Sequence, residues 1–302
     1  MSRAVKINEY GGPEVLTIVD VAEPAPGPGE VRVRVKVAGV QPFDIKTRRG
    51  DLAERMPLTF PATLGNEYAG VVDQVGPGVT DLAVGDEVLG SASAVAYAEH
   101  VVVPATDAVR KPDGLDIVTA GALVAAAQTA SGALLELGVN AGDTLLVHAA
   151  AGSVGTLAVQ LAREAGATVI GTASPANHEY VRSLGATPVA YGPGLVERVR
   201  EAAPQGVTVA LDAAGRDAIL ASAELVADKS RIGTIVDPAT AESVGGRAVF
   251  SPRSPARLAA VAALAAKGTV ILPVRTYPFE DVIEAHRAVE SGHGRGKVVL
   301  LL

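Results

Sequence analysis

The chain of 302 residues lacks cysteine, an excess of positive charge and long hydrophobic runs. The absence of cysteine excludes disulfide bonds and thiolate metal ligands. A formal net charge of −7 argues against a dedicated nucleic-acid binder, which usually has a basic surface. No apolar run reaches membrane-spanning length without glycine, proline or charge, and the N-terminus has no signal-peptide core. With 48% hydrophobic residues, we therefore expect a soluble, cytoplasmic, globular protein of two domains that binds neither nucleic acid nor membrane.

The first hundred residues have the pattern of β-structure. VRVRVKVAGV (31–40) alternates strictly between apolar and other residues, as expected of a half-buried strand. YAGVVDQVG (68–76) and YAEHVVVP (97–104) are further β-rich runs, and glycines and prolines separate them. This spacing predicts a small antiparallel barrel or sandwich.

The pattern changes near residue 115. A long helical or helix-pair stretch, 117–137, is followed by short apolar strands that alternate with amphipathic helices: strands 144–149, 168–172, 188–191, 207–213 and 231–236, and helices 154–166, 177–185 and 195–203. Such alternation predicts a parallel, doubly wound sheet. The tail from about 267 predicts a strand, a helix (279–292) and a last strand (297–302).

The segment HAAAGSVG (148–155) stands where the first of these strands becomes a helix. Gly152 would let backbone approach a ligand, and Gly155 would let the helix pack closely on its strand, whereas Ala150 replaces the first glycine of G-x-G-x-x-G. The free N–H groups of a helix start suit a pyrophosphate. Ordinary strand–helix packing is the alternative interpretation. The candidate contacts are Ala151, Gly152, Ser153, Val154 and Gly155.

The end of the second strand indicates which dinucleotide is bound. NAD enzymes place an acid there, but this chain has Gly171, Thr172, Ala173 and Ser174, which leave room for a 2′-phosphate. The sequence therefore favours NADPH. The residues proposed to contact it here are Thr172, Ser174, Asn177 and His178. Arg182 fits equally a solvated helix face or a phosphate contact.

Several segments together resemble the medium-chain dehydrogenase/reductase superfamily, in its zinc-free quinone oxidoreductase branch. They are AGVQPFDIKTRRG (38–50), LGNEYAGVV (64–72), VGDEVLG (84–90), YAEHVVVP, AAQTASGAL (126–134), HAAAGSVG and EAHRAVESGHGRGKVVL (284–300). The resemblance covers essentially the whole chain. It implies an α/β protein with a GroES-like, β-rich catalytic domain (1–118, with a C-terminal return at 267–302) and a Rossmann NADPH-binding domain (119–266).

The resemblance also bears on metal. Zinc-dependent relatives have a ligand where this chain has Gln41 and a histidine where it has Asn66. Because a tetrahedral zinc site needs His, Cys or carboxylate donors, we expect no metal site and hydride transfer without zinc. Glu67 remains, as a structural hydrogen-bonding group. His286 and His293 lie in no pattern that suggests a metal site.

The resemblance assigns further residues to the site. Gln41 and Asp44 match a segment near the nicotinamide, and Asn66 and Tyr68 complete the catalytic candidates. The cofactor candidates outside the turn and second strand are Thr129, Tyr191, Val236, Phe250, Arg295 and Lys297. Leu52 replaces a tyrosine that could donate a proton in many relatives.

Some of these candidates have a simpler interpretation. Asp44 could only cap the following turn. Tyr97 is more often core packing than a donor. The cluster of Lys46, Arg48 and Arg49 is most simply a solvated face.

The expected activity is reduction of quinones or activated C=C bonds by NADPH. The alternatives are a pathway-specific enoyl reductase and a non-catalytic, NADPH-binding regulatory module. The resemblance also implies a homodimer formed through edge strands of the Rossmann domains, with Arg247–Phe250 near the interface.

Overall fold

The computed structural model describes residues 1–292 and 294–302, so the candidate His293 lies outside the described residues. The chain divides into two compact units, which are residues 1–125 with 254–302, and residues 126–253. Both the mixed α/β class and the β-rich and parallel-sheet architectures match the prediction.

The first unit is built mainly from antiparallel strands. Its strands are β1 (Ser2–Ile7), β2 (Thr17–Val21), β3 (Glu30–Val40), β4 (Ala62–Thr63), β5 (Glu67–Val75), β6 (Glu87–Ser91), β7 (His100–Pro104), β8 (Ala108–Arg110), β15 (Val274–Pro278) and β16 (Lys297–Leu301). Its helices are α1 (Pro42–Arg49), α8 (Pro255–Ala266) and α9 (Val282–Glu290), and α2 (Ile117–Glu136) begins in it. The main sheet has the order β15-β16-β3-β5-β6-β8, with β7 paired to β3.

The alternation in β3 explains this sheet. Val31, Val33 and Val35 are buried in the core of the first unit, whereas Arg34 between them is exposed. Arg32 is also buried, because its guanidinium is paired with the Asp73 carboxylate, Nε to Oδ1 at 2.9 Å. The strand thus places one apolar face on the core, as the period of two requires.

The second unit contains a six-stranded parallel sheet. Its strands are β9 (Thr144–Val147), β10 (Thr168–Ala173), β11 (Thr187–Ala190), β12 (Val209–Asp212), β13 (Ile232–Thr234) and β14 (Arg247–Ala248), in the order β11-β10-β9-β12-β13-β14. Its helices are α3 (Ser153–Glu164), α4 (His178–Ser183), α5 (Leu195–Ala202), α6 (Arg216–Leu225) and α7 (Pro238–Ser243). The sequence pattern predicts the first three of these helices but not α6 or α7. The order reverses beside β9, where such sheets bind ligands.

The boundaries between the units differ from the predicted 118/119 and 266/267. The first half of α2 packs on the first unit: a Cβ on Gly121 would lie 2.5 Å from Val37 Cγ1, and Ala125 N donates to Glu67 Oε2 at 2.6 Å. Helix α8 also belongs to the first unit and contacts β8. Tertiary packing, which composition does not reveal, therefore sets the boundaries after Ala125 and after Arg253.

Helix α2 is long and apolar enough to cross a bilayer by length and composition. However, 72% of that apolar window is buried inside the protein.

Candidate functional site

A buried carboxyl group stands at the centre of the polar residues in the first unit. Asp44, the third residue of α1, is fully buried, and its Oδ1 accepts a hydrogen bond from Asn66 Nδ2 at 2.6 Å. Its Oδ2 accepts from Tyr97 Oη at 3.0 Å and from the backbone N of Gln41 at 3.1 Å. Asp44 therefore caps the helix start, and it also holds two side chains from elsewhere in the chain.

Burial raises the pKa of Asp44 to about 6, because removing a carboxylate from water disfavours its charge. The positive charge of Lys297 and the hydrogen bonds from Asn66 and Tyr97 act in the opposite direction, and Glu67 adds a smaller upward effect. The pKa of this carboxyl group thus lies close to neutral pH.

Glu67 and Lys297 form a buried ion pair beside this carboxyl. Glu67 Oε1 contacts Lys297 Nζ, and both side chains are almost fully inaccessible. Gly39 makes room for the pair, since a Cβ there would lie 2.1 Å from Glu67 Oε1. Lys297 is predicted as a cofactor contact, and in the structure its ammonium group forms an ion pair with Glu67. Arg295, two residues earlier, is exposed.

Tyr97, and not the catalytic candidate Tyr68, is hydrogen-bonded to the Asp44 carboxyl. The Tyr68 hydroxyl is buried away from Asp44, and a Cβ on Gly90 would lie 2.7 Å from it. It has no hydrogen-bond partner among the described residues, and burial raises its pKa. The structure thus separates Tyr68 from the carboxyl network. Tyr97, for which core packing is the simpler interpretation, is buried and also donates to Asp44.

The position of Arg48 also differs from the prediction. Lys46 and Arg49 are exposed, as a solvated face predicts, but Arg48 is fully buried. It is four residues after Asp44 and therefore lies on the same face of α1. The pattern of three basic residues in four positions hides this difference.

In the second unit, the turn between β9 and α3 is held in an unusual backbone conformation. Ala149 has a φ of +57°, a region that favours glycine. Its N–H donates to Thr172 Oγ1 at 3.2 Å, and His148 lies between Thr172 Oγ1 (3.3 Å from Nδ1) and Ser222 Oγ (2.9 Å from Nε2). Burial lowers the pKa of His148 to about 4, so the imidazole is neutral at neutral pH. His148 thus ties the turn to β10 and α6.

Gly152 and Gly155 differ in the space around them. A Cβ on Gly155 would lie 2.3 Å from Ala149 O, so close packing of α3 on the turn requires glycine there. Gly152 has φ −73°, and a Cβ there would meet only Ala149 O, at 3.4 Å. The protein's own packing therefore does not require glycine at 152. A glycine left open at a helix start fits a phosphate group that approaches the backbone.

The other residues of the turn also stand at the start of α3. Ala151 is buried, and Ser153 and Val154 are half-buried. The helix begins at Ser153 with no side-chain cap hydrogen bond. Its first N–H groups thus lack intrahelical partners, which matches the donor set that a pyrophosphate needs.

The residues proposed around the 2′-phosphate lie after β10. Ser174 and Asn177 are half-buried and joined by a 3.3 Å hydrogen bond from Asn177 Nδ2 to Ser174 Oγ. His178 Nε2 lies 3.3 Å from Ala173 O. Thr172 does not line this surface, because its side chain is buried and its hydroxyl serves the glycine turn.

Tyr191 is 61% exposed, at the end of β11. Its loop is held by Arg198, whose guanidinium donates to the carbonyls of residues 190–193. Arg182 is exposed on α4. An exposed aromatic ring on an anchored loop is available to a ligand.

A second buried carboxyl, which is not among the residues predicted from the sequence, lies at the end of β12. Asp212 Oδ1 accepts from the N–H groups of Ala214 and Gly215, and its Oδ2 accepts from Thr234 Oγ1 at 2.7 Å. Thr234 Oγ1 accepts in turn from Val236 N at 3.0 Å. Burial raises the pKa of Asp212. A strand that ends in Asp before a glycine turn, LDAAG, was the available signal.

The remaining cofactor candidates also lie in the second unit. Val236 and Phe250 are 36% and 61% exposed, and Thr129 on α2 is half-buried. Val236 is the one anchored by the Asp212 network.

At the positions that correspond to zinc ligands in zinc-dependent relatives, this chain has the amide side chains of Gln41 and Asn66. Asn66 uses both ends of its amide, since Nδ2 donates to Asp44 and Oδ1 accepts from Ala94 N at 3.3 Å. Across residues 1–292 and 294–302, no group of three or more His, Cys, Asp or Glu side chains could hold a metal ion.

Family models match two parts of the chain. The alcohol dehydrogenase GroES-like domain matches residues 27–113, and the zinc-binding dehydrogenase domain matches residues 184–300. Among curated proteins, human quinone oxidoreductase is 31% identical over the whole chain and 98% of its own length. The human synaptic vesicle membrane protein VAT-1 homolog is 36% identical over 70% of the chain, and the match spans about half (55%) of that relative's length.

Solved structures agree over the full length. The quinone oxidoreductase from Coxiella burnetii has a TM-score of 0.90 at 28% identity, covering 100% of this chain and 99% of that one. The Escherichia coli quinone oxidoreductase complexed with NADPH has a TM-score of 0.89 at 27% identity, covering 100% of both chains. The CurK enoyl reductase has a TM-score of 0.90 at 26% identity, covering 99% of both chains. With the GroES-like and Rossmann-like units, these matches show that the chain belongs to the medium-chain dehydrogenase/reductase superfamily, as a quinone oxidoreductase-like protein.

Proposed function

We propose that this protein is an NADPH-dependent reductase that transfers hydride directly to a quinone or an activated C=C bond without zinc. The observation that carries the proposal is Gly152, at the start of α3. The packing of the protein would accept a Cβ at this position, so packing does not explain why the residue is glycine. The NADPH complex of the Escherichia coli relative supports the choice of cofactor.

The bound nicotinamide would supply the hydride, and the protein would supply position and polarity. In the second unit, the N–H groups at the start of α3 would hold the pyrophosphate, and the Asp212–Thr234 pair would fix the backbone at Val236. In the first unit, the Asp44 network would fix Gln41 and Asn66. These hydrogen bonds keep the polar groups in one arrangement, which reduces the reorganisation needed during reaction.

The donor set supports the proposed zinc independence. Carboxamides are poor zinc ligands, and Asn66 is committed to hydrogen bonds at both ends. We expect substoichiometric zinc by elemental analysis and activity that survives a chelator. Activity lost to chelation and restored by zinc would contradict this.

Preference for NADPH over NADH is supported by the absence of an acid at the end of β10. Ser174, Asn177 and His178 stand there, with the exposed ring of Tyr191 at the end of the neighbouring strand β11. Hydroxyl, amide and imidazole groups can donate hydrogen bonds to a phosphate, whereas a carboxylate would repel it.

Two alternatives share much of this evidence. A pathway-specific enoyl reductase is favoured by the likeness to the CurK enoyl reductase. A non-catalytic regulatory module would bind NADPH without oxidising it.

One screen separates these functions. NADPH oxidation is followed at 340 nm with a panel of quinones, enones and enoyl thioesters, with NADH in parallel. Quinone or enone turnover supports the proposal, and turnover confined to enoyl thioesters selects the enoyl reductase. Tight NADPH binding without turnover of any acceptor selects the regulatory module.

We also propose a cytoplasmic homodimer. The strand β14 forms one edge of the parallel sheet, Phe250 beside it is 61% exposed, and Leu135 is 67% exposed on α2. Arg247 Nη2 contacts Glu136 O, so β14 and the end of α2 are neighbours. An unpaired edge with exposed apolar groups suits association with a second copy. Light scattering at micromolar concentration should give about twice the 30.5 kDa chain mass, and cell fractionation should place the protein in the cytosol.

A further inference from the structure

A continuous series of side chains, buried from Arg48 onward, joins helix α9 to the Asp44 carboxyl. Arg48 has no exposed surface, and its Nη2 forms an ion pair with Glu290 Oε1. Its Nη1 lies 3.2 Å from His286 Nδ1, and its Nε donates to Gly11 O at 3.2 Å. Arg48 lies in the segment 38–50 and His286 in the segment 284–300, and both segments contribute to the family resemblance. The proposed function gives neither residue a role.

The contact with Arg48 determines where the proton of His286 lies. A guanidinium can only donate hydrogen bonds, so His286 Nδ1 must accept and the neutral ring carries its proton on Nε2. Burial and the charge of Arg48 lower the pKa of His286 to about 3, which keeps the ring neutral. Its Nε2 is buried without a hydrogen-bond partner in the described part of the chain. Buried donors are rarely left unpaired, so the packing of this ring must offset the cost of its unpaired N–H group.

The His286 ring packs against Tyr97. Their ring centroids are 5.7 Å apart, and the planes meet at 78°, an edge-to-face arrangement. The Tyr97 hydroxyl donates to Asp44 Oδ2 at 3.0 Å. The series therefore runs from Glu290 through Arg48, His286 and Tyr97 to Asp44.

We propose that Arg48 and His286 are positioning residues, which hold the Tyr97 ring so that its hydroxyl stays on Asp44. No side-chain hydrogen bond or ion pair joins either residue to the Asp44 carboxyl among the described residues, and they act through Tyr97. The consequence for turnover rests on the proposed function, but the consequence for the Asp44 carboxyl does not.

The other groups that face Asp44 define the expected direction. Lys297 and the hydrogen bonds from Asn66 and Tyr97 lower its pKa, and Glu67 raises it. The His286 ring packs against the Tyr97 ring, and Arg48 and then Glu290 lie beyond His286 in the series. Losing the Tyr97 hydrogen bond removes a group that stabilises the carboxylate, so the Asp44 titration should move to higher pH.

The test is a double-mutant cycle read on Asp44 itself. Protein labelled with ¹³C at the aspartate carboxyl is titrated by NMR, with Asp44 assigned by its loss in Asp44→Asn. Tyr97→Phe, which keeps the ring and deletes the hydroxyl, should raise the midpoint by about one pH unit. His286→Leu should raise it by a smaller amount, and the double variant should match Tyr97→Phe alone, because both changes act through one hydrogen bond.

Two further variants separate positioning from stability. His286→Asn gives Arg48 an acceptor in place of Nδ1 but no ring against Tyr97, so it should restore thermal stability while the raised midpoint remains. Val31→Ala, a core cavity at the start of β3, should lower stability and leave the midpoint unchanged. If His286→Leu does not fold, His286→Asn alone completes the cycle with Tyr97→Phe.

The outcomes are distinct. A midpoint at the wild-type position in every folded His286 variant, beside a shift in Tyr97→Phe, overturns the proposal. Additive shifts in the double variant overturn it as well. Neither result depends on substrate or NADPH, so the proposed function can fail while this inference stands. If the enzyme turns over, the acid limb of its pH–rate profile should move with the same non-additivity.

Discussion

The polar network of the first unit and the glycine turn of the second unit are built in different ways. The turn is mostly local: His148, Gly152 and Gly155 lie within eight residues, and the backbone forms the site. The network joins Asp44 to Asn66 and Tyr97, which are 22 and 53 positions away, and side chains form it. A site made of backbone leaves a motif in the sequence, whereas a site made of distant side chains leaves only isolated polar residues.

The largest expected effect tests the packing of the turn. Gly155→Ala places a Cβ 2.3 Å from Ala149 O, so the backbone must shift, at a cost of about 3 kcal/mol in the free energy of unfolding. Denaturant unfolding measures this loss. The control is Gly152→Ala, whose Cβ has 3.4 Å of room and which should unfold close to the wild-type midpoint. Equal losses would mean that the two glycines do not differ as described.

The next prediction concerns the network. Asp44→Asn cannot accept all three hydrogen bonds that the carboxylate accepts, so Asn66 and Tyr97 should move and kcat/KM should fall on the order of a hundredfold. Stability at pH 7.5 should change little, because ionising a carboxyl whose pKa is raised to about 6 already costs the folded protein free energy. Steady-state kinetics and thermal unfolding measure the two quantities. Full activity in Asp44→Asn would remove the network from the mechanism.

The pH dependence of stability tests one buried histidine in each unit. His148 and His286 have pKa values lowered to about 4 and about 3, so the unfolded chain binds protons that the folded chain refuses. Stability should fall as pH drops below about 6.5, by about 2 kcal/mol for each histidine at pH 5. Asp44, whose pKa is raised, binds its proton more readily in the folded protein. Its protonation therefore increases the free energy of unfolding by about 1 kcal/mol over the same pH range.

In the second unit, burial also raises the pKa of Asp212, which acts in the same direction as Asp44. Denaturant unfolding at pH 7 and pH 5, with His148→Asn for comparison, measures the contribution of the turn. The variant should lose less stability between the two pH values than the wild type. An identical pH dependence would show that His148 is not held neutral by burial.

A smaller effect concerns the ligand side of the turn. Gly152→Val places its Cβ in ordinary contact with Ala149 O, at 3.4 Å, and its branched side chain where phosphate would approach, so NADPH affinity should fall at least tenfold. Isothermal titration calorimetry gives the affinity, and far-UV circular dichroism checks the fold. A folded variant that binds NADPH as tightly as the wild type would reduce the turn to a packing element.

The smallest expected effect is on cofactor choice. Ser174→Asp introduces a carboxylate at the end of β10, and its repulsion of a 2′-phosphate is worth about 1–2 kcal/mol near a surface. NADPH binding should therefore weaken about tenfold more than NADH binding. Ser174→Asn, similar in size and uncharged, is the matched control. Parallel losses for both cofactors would place the 2′-phosphate elsewhere.

Several residues show where sequence reasoning succeeds and fails. The alternation of β3, the strand–turn–helix at 144–164 and the tail helix are confirmed, because local periodicity determines each of them. Arg48 is buried rather than solvated, because α9 supplies an acid and an imidazole that no local pattern reveals. Thr172 and Lys297 turn inward for the same reason: their partners lie more than twenty positions away.

The sequence by itself determined the two architectures, the glycine turn, the family and the absence of thiolate ligands. These follow from periodicity, glycine spacing and residue type, which are local properties of the chain. The tertiary structure alone decided that Tyr97 rather than Tyr68 bonds to Asp44 and that the unit boundaries fall after Ala125 and Arg253. It also decided that His148 anchors the glycine turn and that Asp212 anchors the end of β13. These depend on which buried polar groups meet, and a buried polar group takes whichever partner the fold brings within hydrogen-bond distance.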